Sequence, residues 1–144
     1  MSAEQVRETI QAYAEVLLAR GDYRRFFAPD VAFEVMGTGQ RTRGAESAEQ
    51  AIRFLHEVAF DARPELANVL VAENGAAAEA TFAGTHIGEF LGVAPTGNAV
   101  RVPYAVFYDV SDATITALRI YMPMEQLLAQ IRTAAHAEVA EPTA

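Results

Sequence analysis

The chain has 144 residues, 51% of them hydrophobic, and a formal net charge of −8. That length suits one domain with room for a core and an internal pocket. The acid excess argues against nucleic acid or an anionic membrane surface as a partner, because phosphate is held mainly by Lys and Arg.

All 11 basic residues are Arg and there is no Cys, which removes a lysine Schiff base, a thiolate nucleophile, a metal thiolate and any disulfide. No basic stretch followed by an apolar run opens the sequence, and no run of about 18 apolar residues occurs, so no membrane segment is expected and the expected location is the cytoplasm.

Ser2 with Gln5 carries a capping-box signature, and Val6, Ile10, Tyr13 and Leu17 follow at helical spacing until Gly21. This predicts a first helix with Tyr13 on its buried stripe. A short helical piece is expected from Asp22 to Phe27, ended by Pro29. Val31, Phe33 and Val35 alternate as a strand does, ahead of a Gly37-Thr38-Gly39 loop. After Gly44 and Ser47 the spacing predicts a second long helix with Ala48, Ala51, Ile52, Leu55 and Val58 on one face.

From Leu66 the period changes to two. A strand is predicted to about Ala72, then a Glu73-Asn74-Gly75 turn and a long strand from Ala77 to His86. Further strands run from about Ala99 to Asp109 and from Thr114 to Met122, with a turn at Ser111-Asp112 between them. Pro123 suits the first turn of a closing helix that carries Leu127, Leu128 and Ile131. The reading is one domain over 1–132, with a flexible tail over 133–144. The element order gives an α+β fold, with helices packed on one side of a curved antiparallel sheet.

Alternation assigns the faces. Ala78, Ala80, Phe82, Gly84 and His86 share one face of their strand; Val100, Val102, Tyr104 and Val106 share one face of the next; Leu118, Ile120 and Met122 share one face of the last. These sets are expected to line a mostly apolar pocket that takes a small molecule, with Tyr13 and Phe33 contributing from other elements. Glu34 is expected to face solvent. His56 lies beside Glu57 on the second helix and carries no signal. No His pair has metal-ligand spacing, no Ser sits in a nucleophile elbow and no phosphate loop occurs, so neither a metal nor a cofactor is expected.

The stretch Gly84-Thr85-His86-Ile87-Gly88-Glu89-Phe90-Leu91-Gly92-Val93-Ala94-Pro95-Thr96-Gly97 is the most specific in the chain. With Phe107-Tyr108-Asp109-Val110, Arg119, Tyr121, Leu127 and Gln130 it resembles the SnoaL-like polyketide cyclases of the nuclear transport factor two-like superfamily. The resemblance implies a cone-shaped α+β barrel, commonly dimeric, that binds an apolar or aromatic small molecule. It implies ring closure by intramolecular aldol chemistry without a cofactor; relatives isomerise steroids or open epoxides. Such chemistry requires a base in a dry pocket and a hydrogen-bond donor for the developing enolate.

The chain departs from the family at Ile120-Tyr121-Met122-Pro123, where members generally carry an Asp. The expectation is a cofactor-free cyclase or isomerase acting on a polyketide-like or other apolar substrate, with His86 and Tyr104 as catalytic groups. Tyr13, Phe33, Phe82, Val102, Leu118, Ile120 and Met122 are expected to contact substrate. The rivals are a non-catalytic small-molecule binder and an epoxide-hydrolase-like relative. A homodimer is expected through the outer sheet face, which carries Phe107 and Tyr121.

Overall fold

The computed structural model describes the backbone of residues 1–140 and the side chains of residues 1–132. Helix α1, Ala3–Leu18, starts at Ser2, whose side chain accepts from the Gln5 N–H while the Gln5 side chain accepts from the Ser2 N–H. It buries Val6, Thr9, Ile10 and Tyr13. A 3-10 turn, Tyr23–Phe26, leads into β1, Phe27–Val35, and β2, Gln40–Arg43. Then come α2, Ala45–Arg53, and a π-helical turn, Phe54–Val58. Strands β3, Phe60–Ala72, β4, Gly75–His86, β5, Ala99–Ser111, and β6, Thr114–Tyr121, precede α3, Met124–Ala140.

The six strands form one sheet in the order β2-β1-β6-β5-β4-β3. Pairing is antiparallel except between β1 and β6, which run parallel. The β3–β4 and β4–β5 registers set Pro64 opposite Phe82 and Phe82 opposite Val102. Strand β3 lies at the sheet's end, where the missing N–H of Pro64 costs no ladder bond on the open side.

Two buried clusters fill the inner face. One joins Val6, Ile10 and Tyr13 of α1 and Ile52 of α2 to Phe33, Ala78, Val106, Tyr108 and Leu118. The other joins Leu127 and Ile131 of α3 to Phe60, Phe82, Phe90, Val102 and Met122. The Gln130 amide holds α3 to β5 by pairing with both the N–H and the carbonyl of Arg101. On the outer face Arg101 pairs with Glu65, and Arg119 with Asp109.

Several elements differ from the expectation, each for a local reason. Strand β2, which the periodicity did not reveal, is four polar residues whose pairing with β1 comes from the Gly37–Gly39 turn. Strand β3 begins at Phe60 rather than Leu66, so Asp61 is a strand residue, paired with Arg20. Helix α3 runs to Ala140, and 141–144 of the expected tail lie outside the described residues. Glu34 pairs with Arg41 across the β1–β2 ladder, at a partly exposed position.

Candidate functional site

Between the sheet and the helices lies a cavity of about 580 Å³. Its wall takes Tyr13 and Leu17 from α1, Phe33 and Val35 from β1, and Gln40 and Thr42 from β2. Ser47, Gln50, Ala51 and Ile52 come from α2, Phe82 from β4, Tyr104, Val106 and Tyr108 from β5, and Leu118 and Ile120 from β6. Phe54, Leu55 and His56 of the π turn, Phe90 and Leu91 of the β4–β5 loop, and Met122 and Met124 complete it. The rim is open to water at Leu91, 60% exposed, and Phe54, 43% exposed, and at the amides of Gln40 and Gln50. No Asp, Glu or Arg is among the lining residues, so the polar groups in the wall are hydroxyls, amides and one imidazole.

That imidazole is His56. The Ala59 N–H bonds the Phe54 carbonyl at 2.8 Å, five residues back, which inserts one extra residue in the helical turn. The insertion rotates the following side chains. Val58, which an uninterrupted helix would bury, is 56% exposed, and His56 turns to the cavity wall against Phe82, ring centroids 5.4 Å apart.

His56 Nδ1 lies 2.8 Å from the Ile52 carbonyl. A carbonyl can only accept, so Nδ1 carries the proton and Nε2 of the neutral ring is a free acceptor. Nε2 is buried and has no hydrogen-bond partner. Burial lowers the His56 pKa and the nearby Arg20 charge lowers it further, against the raising effects of the Ile52 bond and Glu57. The ring is thereby held neutral.

Three tyrosines cross the floor. Tyr13 meets Tyr108 edge to face at 6.0 Å, and Tyr104 lies two inward positions before Tyr108 on β5, with Val106 between them. Burial pushes all three phenols up; the Tyr13 phenol is raised further by Tyr108, Tyr23 and Tyr104, and the Tyr108 phenol by Tyr104. They therefore stay protonated and able to donate. None of their hydroxyls bonds another described residue.

His86 is placed differently. It is 0% exposed, sits on the face that alternation assigned and tilts against Phe60 at 5.2 Å between centroids, but it is not among the cavity-lining side chains. The Thr96 N–H donates to His86 Nδ1 at 3.2 Å, with the Thr96 hydroxyl 3.0 Å away. A backbone N–H can only donate, so the lone pair of neutral His86 is already engaged and its proton is on Nε2, the opposite tautomer to His56. The His86 N–H bonds the Asn98 carbonyl and the His86 carbonyl accepts from Gly97. These bonds tie down the far end of the loop that carries Phe90 and Leu91 into the wall.

Of the other residues expected at the site, Tyr13, Phe33, Phe82, Tyr104, Leu118, Ile120 and Met122 all line the cavity. Val102 does not; it is fully buried in the α3 cluster. The cavity thus gathers residues from every strand but β3, with three phenol donors and, in its wall, one imidazole whose Nε2 is unpartnered and covered.

Residues 7–131 match the SnoaL-like polyketide cyclase family. The chain belongs to that family. Similar solved structures include a candidate SnoaL-like polyketide cyclase from Jannaschia sp. CCS1, 23% identical with a TM-score of 0.79, over 90% of this chain and 92% of that one. A candidate polyketide cyclase from Xanthomonas campestris pv. campestris is 20% identical with a TM-score of 0.80, over 91% and 99%. An M. tuberculosis epoxide hydrolase of the LEH-like type is 17% identical with a TM-score of 0.71, over 99% and 98%. At these identities the likeness is one of fold, a cone-shaped α+β barrel. A comparison with curated proteins gives no match.

In this SnoaL-like protein, among the described residues, no group of three or more His, Cys, Asp or Glu could hold a metal ion, and no helix is long and apolar enough to cross a membrane. The sequence reading missed His56, Gln40, Thr42, Ser47 and Gln50. His56 could have been singled out only by seeing that the Leu55-to-Val58 stretch is not regular α-helix, and nothing in its residue types announces a π turn. The polar residues of β2 and α2 became visible only once a strand of four polar residues was folded over the cavity.

Proposed function

We propose that this SnoaL-like protein is a cofactor-free cyclase or isomerase acting on a neutral, largely apolar molecule of polyketide type. In this reading His56 takes a proton from a carbon next to a carbonyl, and the hydroxyls of Tyr104, Tyr13 and Tyr108 donate to the oxygen that becomes the enolate. The observation that carries it is the His56 tautomer: Nδ1–H is committed to Ile52, which leaves Nε2 as the unpartnered acceptor in the cavity wall. His86, with its lone pair engaged by Thr96, supports the loop rather than the proton transfer. The apolar wall would hold a flexible substrate folded for ring closure, a large share of the barrier in such a reaction.

The test is solvent-deuterium exchange at the carbon between the two carbonyls of a neutral aryl β-diketone, followed by NMR. His56→Gln is expected to lower the exchange rate about 10²–10⁴-fold, whereas His86→Gln should raise the half-saturating concentration with a smaller effect on the limiting rate. Wild-type exchange by a folded His56→Gln protein would refute the assignment.

A second reading, binding without turnover, is favoured by the packing of Phe82 against the His56 ring and by the lack of a carboxylate in the wall. It predicts saturable diketone binding with no exchange above the buffer rate. The epoxide-hydrolase alternative has less support, since no carboxylate lines the cavity to activate water. We also propose a homodimer formed through the outer sheet face around Phe107 and Tyr121, whose rings meet edge to face at 5.8 Å.

A further inference from the structure

A second cavity, of about 390 Å³, lies between α1 and the β3–β4 pair. Its own walls are apolar, among them Ile10, Ala14 and Leu18 of α1, Leu66 of β3 and Ala78 and Ala80 of β4. It opens beside Gln11 and Glu15. It also shares five wall residues with the larger cavity: Tyr13 and Leu17 from α1, and Tyr104, Val106 and Tyr108 from β5.

The shared residues project from two facing elements, so the two spaces are parted by side chains. Of the phenol rings in this partition, Tyr104 is only partly buried and can turn aside without moving the helix or the sheet, whereas Tyr13 is packed against Tyr23, Phe26, Phe27 and Tyr108. The small floor residues Ala78 and Ala80 leave room where neighbouring inward positions of the same strand carry Phe82. The phenols of Tyr13, Tyr104 and Tyr108 are also unengaged by other described residues at the place where the two spaces meet.

We infer that the two cavities are halves of one elongated site, whose ligand is a neutral molecule with a ring system in the cone and an alkyl or polyene chain beneath α1. The three tyrosine hydroxyls sit at the junction, where they bond an oxygen carried near the point at which ring and chain join. No charged side chain lines the larger half, and Glu15 stands at the opening of the smaller one, so a chain ending in a carboxylate is disfavoured there. This inference rests on the cone being a ligand site and extends it to a second half.

Calorimetric titration with 4-ethylphenol, 4-butylphenol and 4-octylphenol tests it. Wild-type affinity should rise with chain length, by up to about fourfold for each methylene removed from water. Ala14→Leu, on the partly buried side of α1, and Ala78→Val, on β4, each fill the smaller half without touching the larger one. Each is expected to bind 4-ethylphenol as the wild type does and 4-octylphenol at least tenfold more weakly.

Wild-type affinity for 4-octylphenol in both folded variants would overturn the inference while leaving the cone as a ligand site. A wild-type affinity that does not change from ethyl to octyl would overturn it equally. No binding of any alkylphenol would overturn this inference together with the ligand reading of the cone on which it rests.

Discussion

His56 and His86 show how one residue type takes two roles through its backbone partner. A carbonyl opposite Nδ1 makes His56 an Nε2 acceptor, and an amide N–H opposite Nδ1 makes His86 an Nε2 donor. The folded-state pKa of His56 is lowered, chiefly by burial, while an unfolded His titrates near about 6.5. Between those values the unfolded chain binds more protons than the folded one, so stability rises with pH across that window. The His56 contribution is complete above about 6.5 and is lost as pH falls through it towards the folded value. The urea midpoint should therefore fall between pH 7 and pH 5 more for the wild type than for His56→Gln, and equal slopes would contradict a neutral His56. Asp61 and Glu65, whose carboxyl pKa values are lowered by Arg20 and Arg101, lose their contributions in a more acidic range, which keeps the two effects separable. His86→Ala leaves the Thr96 N–H without its acceptor; a loss of roughly 1–3 kcal/mol in denaturant unfolding is expected.

At the scale of elements, the cavity mouth depends on contact between the π turn and the start of the β4–β5 loop. The Ala59 carbonyl accepts from both the Ile87 and Gly88 N–H groups, at 2.9 Å each. A Cβ on Gly88 would meet the Val58 carbonyl oxygen and one on Gly84 would meet the Asp61 carbonyl oxygen, so both positions require glycine because backbone approaches backbone there. Gly88→Ala is expected to destabilise the fold by roughly 1–3 kcal/mol through overpacking and to weaken ligand binding, since it pushes apart the segments that carry His56 and Leu91. Chemical denaturation and alkylphenol titration measure the two effects, and a variant with wild-type values in both would rule out this coupling. Arg20 closes the same junction from the other side: Nη2 reaches the carbonyls of His56 and Ala62 and the Asp61 carboxylate. Arg20→Met should lower stability and shift the His56-dependent limb of the exchange rate to higher pH, because the cation that disfavours imidazolium is gone. An unmoved limb would show that Arg20 does not act on His56.

For the whole molecule, the helices cover only the inner face of the sheet. The outer face keeps Phe107 and Tyr121 each 45% exposed, beside the Arg101–Glu65 and Arg119–Asp109 pairs. Apolar rings framed by paired charges suit an interface more than open water, which is the basis of the proposed homodimer. Phe107→Glu should convert a dimer to a monomer in light scattering at micromolar concentration, with the near-ultraviolet spectrum of the folded core retained. A wild-type protein of monomer mass under those conditions would remove the dimer.

The fold was legible because its signals are local and periodic. The Ser2–Gln5 cap, the strand alternation from Ala77 to His86 and from Ala99 to Asp109, and the glycine-rich segment after His86 each determine their own conformation within a few residues. Strand alternation selected Phe33, Phe82, Tyr104, Leu118, Ile120 and Met122, and helical spacing selected Tyr13, all of which line the cavity, because a period of two or of 3.6 assigns a face without knowledge of its partners. It also put His86 on the inner face, yet a face is not a cavity: whether an inward side chain meets open space or the Thr96 backbone depends on how the following loop folds back. His56 lay beyond sequence reading because one extra residue in a helical turn reverses inside and outside, and that residue is accommodated only when Ala59 bonds Phe54 and Arg20 bridges to β3. Sequence alone therefore determined most of the elements, their faces and the family, though not β2 or the π turn, while tertiary packing decided which histidine keeps a free lone pair, since the hydrogen-bond partner that fixes a tautomer comes from elsewhere in the fold.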